Sequence, residues 1–429
     1  AQNGTLEARV ATSGAAEAFQ LPETAALTVS EAARLLFVAD GGLQGVQSYR
    51  INAQTGALTA ADHFGAEDGL PVADPSALQS FQAYGATWLA LAAAGTGSLS
   101  LFQVNGRGGL RLTDHLNDTL TTRFGGASVL EVVKVEDHVL VLAAGADDGL
   151  SLLRLLPSGQ LVHVTSLAHE VGLGLQNVTA LTTAVVGDQL EIFLASETAL
   201  GLSHLRLDLG GLGVVAQTRQ GRLTGGSGDD LLQGGTGAVN MSGGQGDDVL
   251  VARGGGSNLT GGNGADIFVL GAVDGVLRVR DFRSGVDSLD LSLMPGLRSP
   301  GQLQVTDLDG GIRLSFGETR VLIWSATGQD LTLDDLWPEG QFSTPDRVPQ
   351  GVTLEDGTKY GSGDADELLG QADADHIQGL GGDDMLRGWG GADTLNGGDG
   401  ADRLLGDAGA DRLLGEAGND ALMGGAGWD

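Results

Sequence analysis

Residues 361–429 read, nine at a time, as GSGDADELL, GQADADHIQ, GLGGDDMLR, GWGGADTLN, GGDGADRLL, GDAGADRLL and GEAGNDALM, followed by GGAGWD. Every block carries an aspartate at its sixth place: Asp366, Asp375, Asp384, Asp393, Asp402, Asp411, Asp420 and Asp429. Every complete block carries an aliphatic at its eighth: Leu368, Ile377, Leu386, Leu395, Leu404, Leu413 and Leu422. The first four places are mostly small, so the backbone there can turn through positive φ. Asp364 and Asp373 stand at places where aspartate is a tolerable substitute. Each block is therefore a tight turn followed by a short strand whose eighth-place side chain points inward. One such strand buries too little apolar surface to hold itself, so the blocks must stack.

If two blocks close one coil of a parallel roll, residues eighteen apart lie one above the other. The aspartates then form two files: Asp366, Asp384, Asp402, Asp420, and Asp375, Asp393, Asp411, Asp429. Neighbouring strands are about 4.8 Å apart. Successive carboxylates can therefore share a calcium ion at Ca–O distances of roughly 2.3–2.6 Å, with carbonyls of the glycine turns completing its oxygen shell. Without the cation each file is a ladder of like charges. Calcium is thus expected to be a condition of folding, since binding energy becomes folding energy when the unfolded chain offers no site.

A shorter lattice of the same kind precedes this one, with the blocks GGSGDDLLQ, GGTGAVNMS, GGQGDDVLV, ARGGGSNLT and GGNGADIFV. Its sixth places are Asp230, Val239, Asp248, Ser257 and Asp266. One file, Asp230, Asp248 and Asp266, keeps its carboxylates, and the other replaces them with neutral residues. This first roll is expected to hold calcium along one edge, about two ions, and the terminal roll up to about three in each file.

Both arrays resemble the G-G-x-G-x-D-x-U-x nonapeptide of the RTX (repeats-in-toxin) group, the calcium-binding β-helix repeat. The following segment VLRVRDFRSGVDSLDLS resembles the flank of the roll in serralysin-type and related RTX proteins, through Asp281-Phe282, Gly285, Asp287 and Asp290-Leu291-Ser292. The resemblance implies a protein exported unfolded by a type I route, which folds where calcium is millimolar. LQVTDLDGGIRLSFGETRVLIW alternates as antiparallel strands turning at Asp309-Gly310-Gly311 and Gly317-Glu318, and is expected to cap the first roll. Residues 338–360, with Pro338, Pro345 and Pro349 among polar residues, suit a linker or an extended strap.

Residues 25–218 carry a second, longer period. Its landmarks are LLFVAD with SYRI (Arg50), WLALA with LFQV (Gln103), VLVLAAG with LLRL (Arg154) and IFLAS with HLRL (Arg206), spaced by 53, 51 and 52 residues. Each copy has room for three or four strands between turns, the pattern of a propeller blade. The first copy, SEAARLLFVADGGLQGVQSYRINAQTGAL, resembles blades of the lactonase-like β-propeller family. Such a resemblance could imply lactone hydrolysis, but no catalytic residue can be placed on a matching motif.

The net charge of −32 argues against nucleic acid and for cations as partners. The absence of cysteine excludes disulfides and thiolate metal sites. The first residues, AQNGTLEARVATSGAAEAF, have neither the basic start nor the apolar core of a signal peptide, and no window has the apolar length of a membrane span. His169-Glu170 lacks the second histidine of a zinc-protease helix, and neither a G-x-S-x-G elbow nor a P-loop occurs. The scattered histidines, His376 at an outward seventh place among them, read as surface or blade residues. The recurring Arg50, Arg154 and Arg206 read as blade-stabilising partners.

The expected architecture is all-β. It has a propeller-like domain of about four repeats over 1–219, a first roll over 220–269, a β-rich antiparallel cap over 270–337, a linker over 338–360 and a second roll over 361–429. The expected metal ligands are the sixth-place aspartates, with no catalytic or organic-cofactor residues. The expected role is that of a secreted or cell-surface calcium-binding scaffold, adhesin, or surface-layer or fibre subunit. The alternative is a secreted hydrolase that uses its rolls for export and folding. Outward ninth-place residues such as Leu369, Leu405 and Met423, and the roll edge at Asp429, are candidate contacts with a neighbouring domain, copies of itself or other cell-surface components.

Overall fold

The computed structural model describes residues 24–40, 45–119, 121–170, 173–197, 201–337, 342, 346–347, 358–360, 366–370 and 374–427. The described chain is all-β apart from one helical turn, α1 (Leu333–Leu336), and two short 3-10 turns. Residues 1–348 and 349–429 form two compact units.

The first unit opens with four antiparallel meanders. These are β1 (Thr24–Ser30), β2 (Leu35–Asp40), β3 (Gly45–Ile51) and β4 (Leu58–Gly65); then β5 (Pro75–Ala83), β6 (Ala86–Ala93), β7 (Ser98–Val104) and β8 (Leu110–Asn117). There follow β9 (Val129–Val135), β10 (His138–Ala144), β11 (Gly149–Leu155) and β12 (Leu161–Ala168), and finally β13 (Val178–Val186), β14 (Gln189–Ser196) and β15 (Ser203–Asp208). The first strands β1, β5, β9 and β13 pack in succession. Alternating side chains put one apolar face of each sheet against the next: Leu35, Phe37 and Val46 meet Leu89, Leu91 and Phe102, Leu99 and Leu101 meet Val139 and Val141, and Leu140 and Leu142 meet Ile192 and Leu194. The 52-residue period is thus one propeller-like blade.

In each of the first three blades the outer strand carries a bulge, opposite Ser48/Tyr49, Leu101/Phe102 and Leu152/Leu153. A bulge re-aims the side chain beside it. Asp62 and Asp114, each next to a bulge, accept the N–H of Leu110 and of Leu161 in the following blade, both at 2.7 Å. The third blade has Thr165 at this position.

The fourth repeat keeps three strands, and the strand after it leaves the blade. β16 (Leu212–Thr218) runs parallel to β18 (Asp229–Gly234), after β17 (Gly221–Thr224), and so opens a roll. The roll continues with β19 (Val239–Gln245), β20 (Val249–Ala252), β21 (Asn258–Asn263), β22 (Ile267–Leu270), β23 (Gly275–Phe282) and β24 (Ser288–Asp290). Its two parallel sheets run β16-β18-β20-β22-β24 and β17-β19-β21-β23. Pairs such as Leu231 with Val249 and Met241 with Leu259 are eighteen residues apart. Beyond the nonapeptide lattice the coil persists with a longer step, Leu259 pairing with Val279 and Phe268 with Leu289. β25 (Gln304–Leu308), β26 (Gly311–Phe316) and β27 (Thr319–Ser325) then form the expected antiparallel meander, joined to the roll by parallel pairing of β27 with β23. Trp337, beside α1, is buried with Leu250, Phe268 and Leu289 in the same core.

A two-residue strand, β28 (Asp346–Arg347), pairs with β8. The Arg347 guanidinium reaches Asp114 and the Leu161 carbonyl, and its Nε donates to Ser292 Oγ at 2.9 Å. It therefore ties the second and third blades to the flank of the roll. Pro338, Pro345 and Pro349 lie outside the described residues.

The second unit is a roll alone. It contains β29 (Thr358–Tyr360), β30 (Glu367–Leu369), β31 (His376–Gly381), β32 (Met385–Arg387), β33 (Thr394–Asp399), β34 (Arg403–Ala408), β35 (Arg412–Ala417) and β36 (Ala421–Ala426). These alternate between two parallel sheets, again in eighteen-residue register, as in Leu386 with Leu404 and Leu395 with Leu413. The core is a single stack, Leu368, Ile377, Leu386, Leu395 and Leu404, with Leu413 against it. Asp364, Asp373 and Asp429 lie outside the described residues.

The turns explain the block's composition. Positive φ falls at the second and fourth places of the block, and at the second place it is borne by Trp389, Asp407 and Glu416 (φ 72°, 68° and 67°) as well as by glycine. At the fourth place the constraint is steric too: a Cβ on Gly418 would lie 1.6 Å from Gly400 O. Gly418→Ala is therefore expected to destabilise the terminal roll by about 1–3 kcal/mol, whereas Glu416→Gly stabilises it by roughly 0.5–1 kcal/mol. Thermal unfolding of both variants in calcium measures the contrast, and equal effects at the two places would contradict this account of the turn.

Candidate metal centre

Each sixth-place aspartate sits where a strand begins, so its side chain turns back under the preceding coil. One carboxylate oxygen is used up there. Asp230 N–H donates to Asp248 Oδ1 at 2.8 Å and Asp248 N–H to Asp266 Oδ1 at 3.1 Å. In the terminal roll the same bond runs from Asp366 to Asp384, from Asp384 to Asp402 and from Asp402 to Asp420, at 2.8, 2.9 and 3.1 Å. On the other side it runs from Asp375 to Asp393 and from Asp393 to Asp411, at 2.8 and 3.0 Å. The files expected from the lattice are thus brought together as stacked carboxylates, each eighteen residues from the next. Asp429 lies outside the described residues.

The second oxygen is what a cation would meet. Oδ2 of Asp248, Asp384 and Asp402 is buried without a hydrogen-bond partner. It faces the first-place glycine of its own block, and at Asp248 and Asp384 a carbonyl from the next coil points there too. A Cβ on Gly243 would lie 2.0 Å from Asp248 Oδ2 and 2.6 Å from Gly261 O, and one on Gly379 would lie 2.2 Å from Asp384 Oδ2 and 2.4 Å from Gly397 O. A charged oxygen and a neutral one therefore converge on a space that only a glycine leaves open. Among the described residues no three His, Asp or Glu side chains cluster as ligands. Most of any ion's oxygen shell must then come from turn carbonyls, a hard, all-oxygen donor set that suits calcium.

Burial pushes Asp248 up to about 7, with the Asp266 and Asp230 carboxylates adding to the rise. Burial likewise pushes Asp266 up to about 6 and raises Asp384. A carboxylate held in a dry place without a counter-charge takes up a proton, or a metal ion supplies the missing charge.

The neutral file of the first roll keeps the ladder without the charge. Ser257 Oγ accepts Val239 N–H at 3.0 Å and donates to Gly254 O at 2.6 Å, while Val239 is buried among core residues. Two further acids outside the nonapeptide blocks meet this roll, one continuing the charged file and one holding a turn. Asp287 Oδ1 accepts Asp266 N–H at 3.1 Å, continuing the ladder after a step of twenty-one residues. Asp281 accepts the N–H groups of Gly261 and Gly262, both at 3.0 Å. The flank signature marks both positions, but the place of Asp287 in the file depends on the longer coil.

The recurring arginines do not form a ring. Arg50 is exposed, Arg206 pairs with Glu191 at 3.0 Å, and Arg154 is buried against His138 with its Nη2 donating to Asp229 O at 3.2 Å. A cleft of about 230 Å³ lies where β12 meets the roll, lined by His163, Ser166, Ser288 and Asp290 among others. His163 Nε2 and Ser166 Oγ share a hydrogen bond of 2.7 Å there, and burial lowers the His163 pKa.

The raised carboxylates fix the sign of a pH effect. A group with a folded-state pKa above its ordinary value stabilises the fold below that ordinary value, and the contribution is lost as pH rises through the folded pKa. In a chelator the first roll should therefore lose stability between about pH 4 and about pH 7, the interval set by Asp248 and Asp266. With calcium the trend should reverse, because binding needs the ionised form. Thermal melts across this range, with and without EGTA, test both slopes, and Asp248→Asn should flatten the first.

The RTX calcium-binding nonapeptide repeat (4 copies) family matches residues 224–258, 242–277, 360–395 and 396–429. No curated protein matches the chain. Among solved structures, the periplasmic gluconolactonase of Pseudomonas aeruginosa is similar over 43% of this chain and 54% of its own, at 23% identity and a TM-score of 0.33. A putative 6-phosphogluconolactonase from Bacteroides uniformis is similar over 48% of this chain and 60% of its own, at 15% identity and a TM-score of 0.33. The chain spans little more than half the length of these structures. Residues 224–277 and 360–429 are RTX calcium-binding nonapeptide repeats.

Proposed function

We propose that this chain is a secreted or cell-surface structural protein whose two rolls fold on extracellular calcium, with the propeller-like domain displayed as a docking or adhesive module. The observation that carries the reading is the row of buried Oδ2 atoms of Asp248, Asp384 and Asp402, each without a hydrogen-bond partner and each facing a glycine, with a second oxygen converging on the cradle at Asp248 and Asp384. The ligands are the sixth-place aspartates Asp230, Asp248, Asp266, Asp366, Asp375, Asp384, Asp393, Asp402, Asp411, Asp420 and Asp429, together with turn carbonyls. Several ions are taken up, those of the first roll along its charged file only. The division into blades, first roll, cap, linker and terminal roll is part of the same reading.

Location and partners follow from the chemistry. Sites built from one carboxylate per coil and neutral carbonyls are weak, and fill where calcium is millimolar, outside the cell. No helix among the described residues is long and apolar enough to cross a membrane. The outward ninth places Leu369 and Met423 are 39% and 47% exposed, which favours a partner surface on the terminal roll, another copy of the chain among the candidates.

Far-UV circular dichroism of EGTA-dialysed protein should show loss of β signal that calcium restores, with magnesium a poor substitute because it demands a tighter octahedral shell. An unchanged spectrum after complete removal of calcium would overturn the reading.

A second reading, a secreted hydrolase, is favoured by the cleft at His163 and Ser166. A neutral imidazole hydrogen-bonded to a serine hydroxyl can take its proton as the oxygen attacks an acyl carbon. A fluorophosphonate probe should then label the protein at Ser166 and fail to label Ser166→Ala. Absence of labelling in the calcium-loaded protein removes this reading.

A further inference from the structure

Along the charged file of the first roll the second carboxylate oxygens meet three different fates. Asp230 Oδ2 accepts Gly226 N–H at 2.6 Å. Asp248 Oδ2 has no partner. Asp266 Oδ2 lies 3.4 Å from Arg283 Nη2. The same nitrogen donates to Asp287 Oδ1 at 3.1 Å and to the Gly264 carbonyl. Asp266 is fully buried, and Asp287 nearly so.

Gly264 is the fourth-place glycine of its block, and its counterpart one coil earlier, Gly246, directs its carbonyl at the next coil: a Cβ on Gly264 would lie 2.0 Å from Gly246 O. Arg283 thus gathers a fourth-place carbonyl and the carboxylates of two successive members of the file. At Asp248, Asp384 and Asp402 the second carboxylate oxygen has no such donor. The backbone holds the guanidinium in place, since Arg283 N–H donates to Asp287 Oδ2 at 2.8 Å and Arg283 O accepts the N–H groups of Val286 and Asp287 at 3.2 and 2.9 Å.

We propose that Arg283 is a resident cation that fills the last inter-coil site of the first roll, between Asp266 and Asp287, in place of calcium. This rests on the reading of the other carboxylates as calcium ligands. The charge comes with the chain, so it is present before any ion binds. The last coil and the cap beyond it can then fold without calcium, and the roll can grow back from that end as ions enter the earlier sites. A guanidinium also cannot be removed by a chelator.

The test is the number of calcium ions retained by the full chain at equilibrium with millimolar calcium, measured by plasma mass spectrometry of the two compartments of an equilibrium dialysis. Arg283→Ala should bind one more ion than the unaltered protein. Arg283→Lys should keep the original number. Arg283→Gln, which retains hydrogen-bond donors without the charge, makes the same prediction as Arg283→Ala and serves if the alanine variant does not fold. An unchanged or reduced ion count in both neutral variants overturns the proposal. If the unaltered protein itself retains no calcium, the failure lies with the parent reading.

Discussion

The structure depends on one hydrogen bond and on what that bond leaves over. Along each file of described aspartates, every one after the first accepts the N–H of its counterpart one coil earlier, as Asp248 does from Asp230 and Asp402 from Asp384. The bond sets the eighteen-residue register and places the carboxylate inside the roll. At Asp248 and Asp384 it also strands the second oxygen in a dry pocket beside a turn carbonyl. A coil assembled this way is consistent in shape but short of positive charge, and the core cannot make up the deficit: the terminal roll buries essentially one file of aliphatics per sheet. Neutralising the files is therefore the condition for the whole array.

The first roll meets that condition in several ways at once. One of its files is uncharged, with Ser257 reproducing the ladder bond through a hydroxyl and Val239 joining the core. Its opening coil is covered by β16, and its last by the meander β25–β27. The third blade packs directly on it, with Leu156 and Val162 against Leu231, Val249 and Val251. Arg154 brings a buried positive charge from the blade to the Asp229 carbonyl, next to the first aspartate of the file. The described part of the terminal roll has charged residues in both files, and on the proposed reading it is the roll that depends more on bound ions.

The propeller-like domain solves a different problem with a related device. Its blades carry ample apolar surface, and what needs fixing is the angle between one sheet and the next. Asp62 and Asp114, re-aimed by bulges, bond the backbone of the following blade. Where that series stops, at Thr165, the chain sends its next outer strand into the roll instead. Asp114 also receives Arg347 from β28, so one buried acid joins two blades and the returning strap.

What could be read from the amino-acid sequence is whatever repeats at a fixed step. A period of nine with aspartate sixth and an aliphatic eighth leaves a stacked roll as the way to bury the apolar side chains, and it names the carboxylates of both files. The 52-residue period likewise gives the blades, and alternation gives the meander after the roll with its two turns. Tertiary structure decided what depends on chain meeting chain out of step. β16 belongs to the roll because an open first coil needs a parallel neighbour, although its sequence follows the blade period. Asp287 enters the file at a spacing of twenty-one because the flank inserts residues into the coil. Arg283 is one arginine among many until the fold brings it to Asp266, Asp287 and Gly264, since the identity of a counter-charge depends on which groups are buried together, and no local pattern encodes that.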